Sequence, residues 1–183
     1  QHVVIDGNSC DNTNAIIKTF GERNVIHHSA KDSGIYNAMN KGLSLATGDI
    51  VGFLNSDDLF YDRQCISSIV TRLSIDRSDY IWGNLLYVDK NDINVIRRVW
   101  RSQDLTCTNV VSGQIPPHPT FYFRRNSETM HLRFNESYRL ASDFDFMSTF
   151  FCNLNLKSSF LDKFIVKMRN GGVTNKHFQN IIS

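Results

Sequence analysis

The segment "GFLNSDDLFYD", residues 52–62, contains a point where an apolar run ends in two adjacent carboxylates. The run at residues 50–54 predicts a buried strand, and Asp57 and Asp58 follow it within four residues. Neighbouring carboxylates repel each other, and each resists ionisation beside the other. Solvent, a helix N-terminus or a bound cation must offset that cost. The segment is therefore a candidate cation site, and helix capping is the alternative interpretation.

Strands and helices alternate on both sides of this segment. The pattern predicts strands at residues 3–5, 25–28, 50–54 and 79–89, and helices at 14–20, 35–46 and 61–73. This alternation is typical of a doubly wound α/β fold, in which helices flank a mostly parallel central sheet. Ligands of such sheets bind at the carboxyl ends of the strands. Because Asp6, Asp57 and Asp58 each follow a strand, we expect three carboxylates along one edge of the sheet.

The second half of the chain is less regular. The predicted elements are strands at 95–100, 121–125 and 164–172, a rigid turn at 114–120 and a helix at 140–154. The strand at 95–100 is expected to be antiparallel. In the third predicted helix, the expected inward positions are Ile66, Ile69, Val70 and Leu73. We predict a single domain over residues 1–183, with halves at 1–90 and 91–183.

Composition narrows the class of protein. With 183 residues the chain is long enough for one domain with a sizeable core, and 13 phenylalanines predict an aromatic one. A net charge of +2 does not indicate nucleic-acid binding, and no apolar run approaches the ~20 residues that span a bilayer. The four cysteines lack metal-ligand spacing, so we predict free thiols in a reducing compartment. The chain opens inside the apolar run "HVVIDG", which predicts that an N-terminal element is missing.

Five segments, in order, resemble the family 2 glycosyltransferases, whose fold is called GT-A. They are "HVVIDGNSCDNT" (2–13), "GIYNAMNKGLSLATGD" (34–49), "NSDD" (55–58), "LASDFDF" (140–146) and "RNGGVTN" (169–175). The family normally opens with a strand of the type "SVIIPTYN" and a helix, and neither is present here. The resemblance therefore implies a GT-A domain that lacks its first strand and helix.

The resemblance also implies roles for the donor-side residues. Asp6 resembles the residue that binds the nucleobase, which favours uracil, and Asp57 matches the residue near the ribose. Asp58 matches the carboxylate that holds Mg²⁺ or Mn²⁺ at the diphosphate, a typical use of a carboxylate with this ion. Asn55 departs from the aspartate that often heads this DXD-type motif and lowers the charge of the site. Asp32 is a further nucleotide-binding candidate, with helix capping as the favoured alternative.

On the acceptor side, Asp143 matches the candidate general base, which must remove a proton from the attacking hydroxyl. Asp145 is its rival, and since positions two apart on a helix do not share a face, only one is expected to point at the cleft. The alternative for Asp143 is a helix cap.

Three weaker candidates lie elsewhere in the chain. Asn40 is a further nucleotide-binding candidate, and the neighbouring Lys41 is either a phosphate partner or a solvated surface lysine. His118, in the proline-rich turn, is a candidate substrate contact, although a lone histidine is more often structural.

The implied activity is inverting, metal-dependent transfer from a nucleoside-diphosphate sugar to a hydroxyl of a glycan or lipid-linked acceptor. The expected products are cell-surface polysaccharide or lipopolysaccharide, made in the cytoplasm with peripheral association at the inner membrane face. Two alternatives stay open: a nucleotidyltransferase of similar topology, and a nucleotide-sugar-binding fragment without turnover.

Overall fold

The first half of the chain begins with two β-α units. The computed structural model describes residues 1–21 and 25–171. The first elements are β1 (His2–Asp6), α1 (Thr13–Thr19), β2 (Val25–Ser29) and α2 (Ile35–Leu45). Strands β1 and β2 pair in parallel as a two-stranded sheet. Gly21 follows α1 with a φ of 75°, a left-handed conformation that glycine adopts readily at the end of a helix.

A second sheet contains the remaining strands of the described residues. They are β3 (Ile50–Gly52), β4 (Leu59–Phe60), β5 (Tyr80–Val88), β6 (Ile96–Trp100), β7 (Tyr122–Arg124) and β8 (Ser158–Arg169). The order is β3-β7-β5-β8-β4, and β6 pairs with β5. Strands β5 and β8 pair in parallel, whereas the other pairings in this sheet are antiparallel. The predicted α/β class is confirmed, with a sheet more mixed than expected because β7 lies between β3 and β5.

Three helices accompany this sheet: α3 (Cys65–Asp76), α4 (Cys107–Val111) and α5 (Ser142–Ser148). A π-helical turn, Thr149–Asn153, extends α5, and His118–Thr120 form a short 3₁₀ helix in the predicted turn. No helix in the described ranges is long and apolar enough to cross a membrane.

The inward face of α3 differs from the prediction. Cys65, Ile69 and Leu73 are buried, four residues apart, against β5 and β8. The predictions for Ile66 and Val70 are wrong, since these side chains are 45% and 41% exposed. The helix begins at Cys65 rather than near Tyr61. Successive residues of a helix lie about 100° apart around its axis. Because Cys65 and Ile69 face the sheet, the residues that follow them, Ile66 and Val70, face solvent.

The main core is aromatic, as predicted. Its buried members include Tyr80, Trp82, Phe121, Phe123, Phe134, Phe146 and Phe150. Their rings contact one another at centroid distances from 4.3 Å for Phe134 and Phe146 to 6.4 Å for Phe121 and Phe123. Because this cluster joins β5 and β7 to α5, it fixes the position of the segment that carries Asp143.

Gly52 lies directly beneath an aromatic ring. A Cβ atom on this residue would come within 2.1 Å of the Tyr122 ring, the cross-strand neighbour in β7. Such a contact is far inside van der Waals distance. The close packing of β3 on β7 therefore requires glycine at position 52.

Two of the four cysteines form a disulfide. Cys107, at the start of α4, is bonded to Cys152 in the π-helical turn. The prediction of free thiols is wrong for this pair and holds for Cys10 and Cys65. The 45-residue separation explains why spacing along the chain did not reveal the pair. Because two of the cysteines are bonded to each other, the cysteines no longer indicate a reducing compartment.

Candidate active site

The predicted site residues fall into three groups at the ends of strands and helices. Strands β3, β5 and β8 run in the same direction, because β3 and β5 are both antiparallel to β7, while β8 is parallel to β5. Asp57 and Asp58 follow β3 at the carboxyl edge of this sheet. Asp6 is the last residue of β1 in the separate two-stranded sheet, so the prediction that three carboxylates share one sheet edge is wrong for Asp6. Asp143 lies in the first turn of α5.

Asp6 is a buried carboxylate surrounded by hydrogen-bond donors. Its oxygens accept from the Ser9 hydroxyl at 2.5 Å, the Ser29 hydroxyl at 2.6 Å, the Ser9 backbone at 3.1 and 3.3 Å, and the Asn14 amide at 3.4 Å. The Ser29 and Ser9 hydroxyls hold the pKa of Asp6 down at about 2. The residue is therefore a fixed negative charge at the end of β1.

Asp32 lies beside the same strand end. Its carboxylate packs against the backbone of Gly7, where an added Cβ would lie 2.9 Å from Oδ2. Oδ1 accepts a hydrogen bond from the backbone of Gly34 at 3.1 Å, just before α2. The structure thus brings Asp6 and Asp32 together around Gly7. The hydrogen bond to Gly34 also supports the alternative, in which Asp32 stabilises the start of α2.

Asp58 is buried at the start of β4, and its two oxygens differ. Oδ2 accepts from the Asn55 amide at 3.1 Å, whereas Oδ1 is buried without a hydrogen-bond partner in the protein. Burial raises the pKa of Asp58 to about 6, while Asn55 acts in the opposite direction. An ionised carboxylate in such a place requires a positive partner.

This environment fits a divalent cation held mainly by substrate. The described part of the chain contains no cluster of three or more His, Cys, Asp or Glu side chains able to hold a metal. Mg²⁺ commonly takes one or two carboxylates together with substrate phosphates, so the unpartnered Oδ1 of Asp58 suits one position of such a shell. Asp57 is exposed beside it.

Arg169 is a functional candidate that is not among the residues predicted from the sequence. It ends β8 opposite Val88 of β5, and its guanidinium donates to the backbone carbonyl of Asp57 at 2.9 Å. Its charge also favours the ionised form of Asp58. Arg169 lies in the "RNGG" segment that carried the family resemblance, so that segment was the available signal. The Gly-Gly turn itself continues into residues outside the described ranges.

Asp143 is half-buried and bound to a tyrosine from the other half of the chain. The Tyr36 hydroxyl lies 3.2 Å from Oδ1 of Asp143 and 3.2 Å from the backbone nitrogen of Ser142. Asp145, two residues further on, is exposed. The two carboxylates therefore occupy different environments, as expected for positions two apart on a helix, and Tyr36 is a second residue that sequence reasoning missed.

His118 lies near Asp143 within the aromatic core. Its ring stacks on Phe53 at 5.5 Å and meets the edge of Phe134 at 5.7 Å. Burial lowers the pKa of His118 to about 4, although the negative charge of Asp143 opposes this shift. Its Nε2 atom is buried without a partner. The imidazole is therefore neutral near pH 7 and packs against the aromatic rings, while the residue as a whole is partly exposed.

The Asn40 side chain faces the second half of the chain. Its amide nitrogen donates to the Phe134 carbonyl at 2.9 Å and to Glu136 at 2.8 Å, and its oxygen accepts from the Phe134 backbone at 2.8 Å. A nucleotide-binding role for Asn40 stays a prediction. The Lys41 ammonium donates to the Lys31 carbonyl at 3.1 Å on the surface.

These features define an α/β protein with carboxylates at the strand ends and a separate half-buried carboxylate supplied by a later helix. The model of the family described as Glycosyl transferase family 2 matches residues 1–151. The chain therefore belongs to glycosyl transferase family 2.

Among curated proteins, the chain is 28% identical over 179 residues to a PGL/p-HBAD biosynthesis glycosyltransferase of Mycobacterium bovis BCG. The match covers 94% of this chain and 67% of that protein. Over a shorter stretch, 40% of this chain and 28% of the other protein, it is 36% identical to an uncharacterized glycosyltransferase of Mycobacterium tuberculosis.

Solved structures confirm the GT-A fold. Staphylococcus aureus TarS in complex with UDP-GlcNAc superposes with a TM-score of 0.73 and 20% identity, covering 93% of this chain and 49% of that one. Mannosyl-3-phosphoglycerate synthase from Rubrobacter xylanophilus gives a TM-score of 0.56 at 15% identity, covering 97% and 59%. The chain thus spans about half the length of the TarS chain and two thirds of the curated relative.

Proposed function

We propose that the protein transfers a sugar from a nucleoside-diphosphate sugar to a hydroxyl group of an acceptor, with inversion at the anomeric carbon. The observation that carries this proposal is the pair of contrasting carboxylates. Asp58 is buried with an unpartnered oxygen, and Asp143 is half-buried and hydrogen-bonded on a different element. Family membership supports sugar transfer.

On the donor side, Asp6 is the residue proposed to accept a hydrogen bond from the nucleobase. Its low pKa of about 2 keeps it an acceptor across the physiological range. A base whose ring carries an N–H can donate to this carboxylate, and among such bases uracil is favoured because TarS has been solved with UDP-GlcNAc and with UDP. Asp57 is placed at the ribose, and Asp32 and Asn40 are assigned supporting contacts to the nucleotide.

The residue proposed to hold Mg²⁺ or Mn²⁺ is Asp58, with Asp57 adjacent, in the manner of a DXD motif. When bound, the ion would supply positive charge at the leaving diphosphate. Asn55 orients Oδ2 of Asp58 through its 3.1 Å hydrogen bond and leaves Oδ1 for the ion. Arg169 lies beside these residues and adds a fixed positive charge close to the same place.

Asp143 is proposed to act as the general base. It accepts the proton of the acceptor hydroxyl as that oxygen bonds to the anomeric carbon from the side opposite the diphosphate. The bond from the anomeric carbon to the diphosphate oxygen breaks in the same displacement, which inverts the configuration. Asp145 is exposed two residues away and is assigned at most a contact to the acceptor, as is His118.

The acceptor is inferred to be a glycan or a lipid-linked glycan of cell-surface polysaccharide or lipopolysaccharide synthesis, handled in the cytoplasm at the inner membrane face. An exposed basic and apolar strand supports this surface role. In β6, Ile96 and Val99 are about half exposed, at 54% and 48%, and the arginines 97 and 98 are exposed between them. Because Arg97 is paired with Asp89 at 2.6 Å, Arg98 is the arginine of this strand proposed to contact an anionic lipid surface.

The first experiment measures ligand-induced thermal stabilisation. UDP, GDP, CDP and dTDP and their sugar forms are each added with and without Mn²⁺ to this protein and to Asp58→Ala. Stabilisation by the uridine nucleotides that needs both Mn²⁺ and Asp58 is expected. An equal shift without Mn²⁺, or in the Asp58→Ala variant, would contradict the metal assignment.

Turnover is then measured as UDP release from UDP-GlcNAc, with water as the acceptor. The variant Asp143→Asn is expected to lower this rate by about 10²- to 10⁴-fold, the usual contribution of a general base, while Mn²⁺-dependent nucleotide binding persists. Asp145→Asn is the matched control and should retain the rate. Full turnover in Asp143→Asn would refute the assigned base.

A further inference from the structure

The hydroxyl group of Tyr36 connects the two halves of the chain at Asp143. Tyr36 belongs to the first turn of α2, and Asp143 lies more than 100 residues later in α5. The Ser142 backbone N–H donates to the Tyr36 oxygen at 3.2 Å, and the Tyr36 O–H faces Oδ1 of Asp143 at 3.2 Å. Because the hydroxyl accepts from one residue, its own proton is directed at the other.

The ring of Tyr36 is held on a rigid support. It stacks on Phe134 at 5.7 Å with an angle of 16° between the ring planes, and Phe134 stacks on Phe146 of α5 at 4.3 Å. Asn40, one turn along α2, binds both the N–H and the carbonyl of Phe134. A single set of contacts therefore fixes the positions of α2, Phe134 and α5 relative to one another.

The backbone just before Asp143 is in an unfavourable conformation. Ala141 has a φ of 70° and a ψ of 12°, the left-handed region that residues other than glycine adopt at an energetic cost. Such a conformation persists only where neighbouring contacts determine it. The hydrogen bond from the Ser142 N–H to Tyr36 is one such contact. In addition, burial and then the charge of Asp143 raise the pKa of Tyr36, so the hydroxyl keeps the proton that it donates.

We propose that Tyr36 is a positioning residue that holds the Asp143 carboxylate in the orientation needed to receive the acceptor's proton. The inference rests on the proposed function, in which Asp143 is the base, and adds to it a residue from the donor half of the chain. Its effect is on the chemical step, because small displacements of a reacting group cost large factors in rate. Donor binding does not depend on it.

The test compares Tyr36→Phe with Tyr138→Phe in the intact protein. Phenylalanine keeps the stacking on Phe134 and removes only the hydroxyl, while Tyr138 is 47% exposed and serves as the matched control. UDP release from UDP-GlcNAc with Mn²⁺ is the assay. For Tyr36→Phe, kcat is expected to fall about tenfold with the KM for UDP-GlcNAc changed less than twofold, and Tyr138→Phe should match the wild type.

A double substitution separates positioning from a general structural effect. If Tyr36 acts through Asp143, adding Tyr36→Phe to Asp143→Asn lowers the residual rate no further. A kcat for Tyr36→Phe within twofold of the wild type overturns the proposal. So does an equal fractional loss in both backgrounds, since this would show that the hydroxyl acts independently of Asp143.

Failure of the underlying function gives a different result. If the wild-type protein releases no nucleoside diphosphate from any nucleotide sugar of the thermal-shift panel above a heat-denatured control, or if Asp143→Asn keeps the full rate, the proposed function is refuted, and the role of Tyr36 is refuted with it. If the wild type turns over and Asp143→Asn does not, the Tyr36 result alone decides the inference.

Discussion

Asp6 and Asp58 are both buried carboxylates near strand ends, with side chains in residues only 5% and 7% exposed, yet their surroundings have opposite effects. Asp6 accepts hydrogen bonds from Ser9, Ser29 and Asn14, and its pKa falls to about 2. Asp58 has one side-chain donor, Asn55, and burial raises its pKa to about 6. Similar solvent exposure therefore accompanies a stable anion at Asp6, where hydrogen bonds dominate, and a carboxylate that resists ionisation at Asp58, where burial dominates.

The difference distinguishes a carboxylate whose charge is stabilised by protein donors from one whose charge lacks enough of them. The donors around Asp6 come from the loop after β1, from α1 and from β2, so folding alone stabilises its charge. The free oxygen of Asp58 has no such donors, and Asn55 and Arg169 offset only part of the cost of burying its charge, so a bound cation would stabilise that charge further. Substitutions that remove each charge should therefore have opposite consequences for stability.

The largest effect is expected on turnover when the charge of Asp58 is removed. Asp58→Asn keeps the shape of the side chain and removes the charge that would hold a cation. Loss of electrostatic stabilisation of this kind costs about 10²- to 10³-fold in kcat. UDP release from UDP-GlcNAc in Mn²⁺ measures it, with the exposed loop variant Asp92→Asn as the control. A rate within threefold of the wild type would remove Asp58 from the proposed metal site.

The next largest effect is expected on the Mn²⁺ concentration that the protein requires, which should depend on pH. Since the pKa of Asp58 is raised to about 6, a proton competes with the cation below that pH. The Mn²⁺ concentration needed for half-maximal stabilisation by UDP-GlcNAc is expected to rise about tenfold for each pH unit below 6 and to level off above it. UDP-GlcNAc suits this titration because it lacks a terminal phosphate that would titrate in the same range. A requirement that stays constant from pH 5 to pH 8 would contradict the raised pKa.

A smaller effect is expected on thermal stability when the charge of Asp6 is removed. Asp6→Asn places an amide among groups that all donate hydrogen bonds, so one of them loses its partner. We expect Tm to fall by several degrees at pH 7. The sign of the pH dependence follows from the depressed pKa: Asp6 stabilises the fold above the unfolded pKa near 4, and this stabilisation is lost as the pH falls toward 2. The difference between wild type and variant should therefore narrow in acid.

The smallest effect is an increase in the stability of the whole protein when the charge of Asp58 is removed, measured without divalent cations. A raised pKa means that the folded state binds the proton more tightly than the unfolded state, so stability falls as pH rises from about 4 through 6. Allowing for solvent screening, Asp58→Asn should stabilise the protein by about 1 kcal/mol at pH 8. Chemical denaturation at pH 8 and pH 4 tests this, since the gain should vanish at pH 4. Destabilisation at both pH values would show that Asp58 is already satisfied within the fold.

Much of the fold could be predicted from local patterns. The alternation of apolar runs and amphipathic segments is a local property, and it located β1, β2, β3, β5 and α2 close to their observed bounds. Strand order depends on contacts between distant parts of the chain, and the insertion of β7 between β3 and β5 leaves no trace in the periodicity. The disulfide of Cys107 with Cys152 is long-range in the same way.

The candidate site was predictable to a different degree at each residue. Carboxylates after strands are visible in the sequence, so Asp6, Asp57 and Asp58 could be singled out. Their contrasting environments could not, because the hydroxyl that most lowers the pKa of Asp6 comes from Ser29 on the neighbouring strand. Tyr36 reads as an ordinary apolar helix position, and only the fold brings its hydroxyl to Asp143.

The contact of Gly52 with Tyr122 has a consequence for sequence variation. With the Tyr122 ring 2.1 Å from the position of a Cβ on residue 52, the two positions constrain each other across β3 and β7. Gly52→Ala alone should be poorly tolerated, whereas Gly52→Ala combined with a smaller residue at position 122 should recover folding. In variants that descend from a common ancestor of this chain, the two positions are therefore expected to change together, as a coupled pair that identifies β3 and β7 as neighbours.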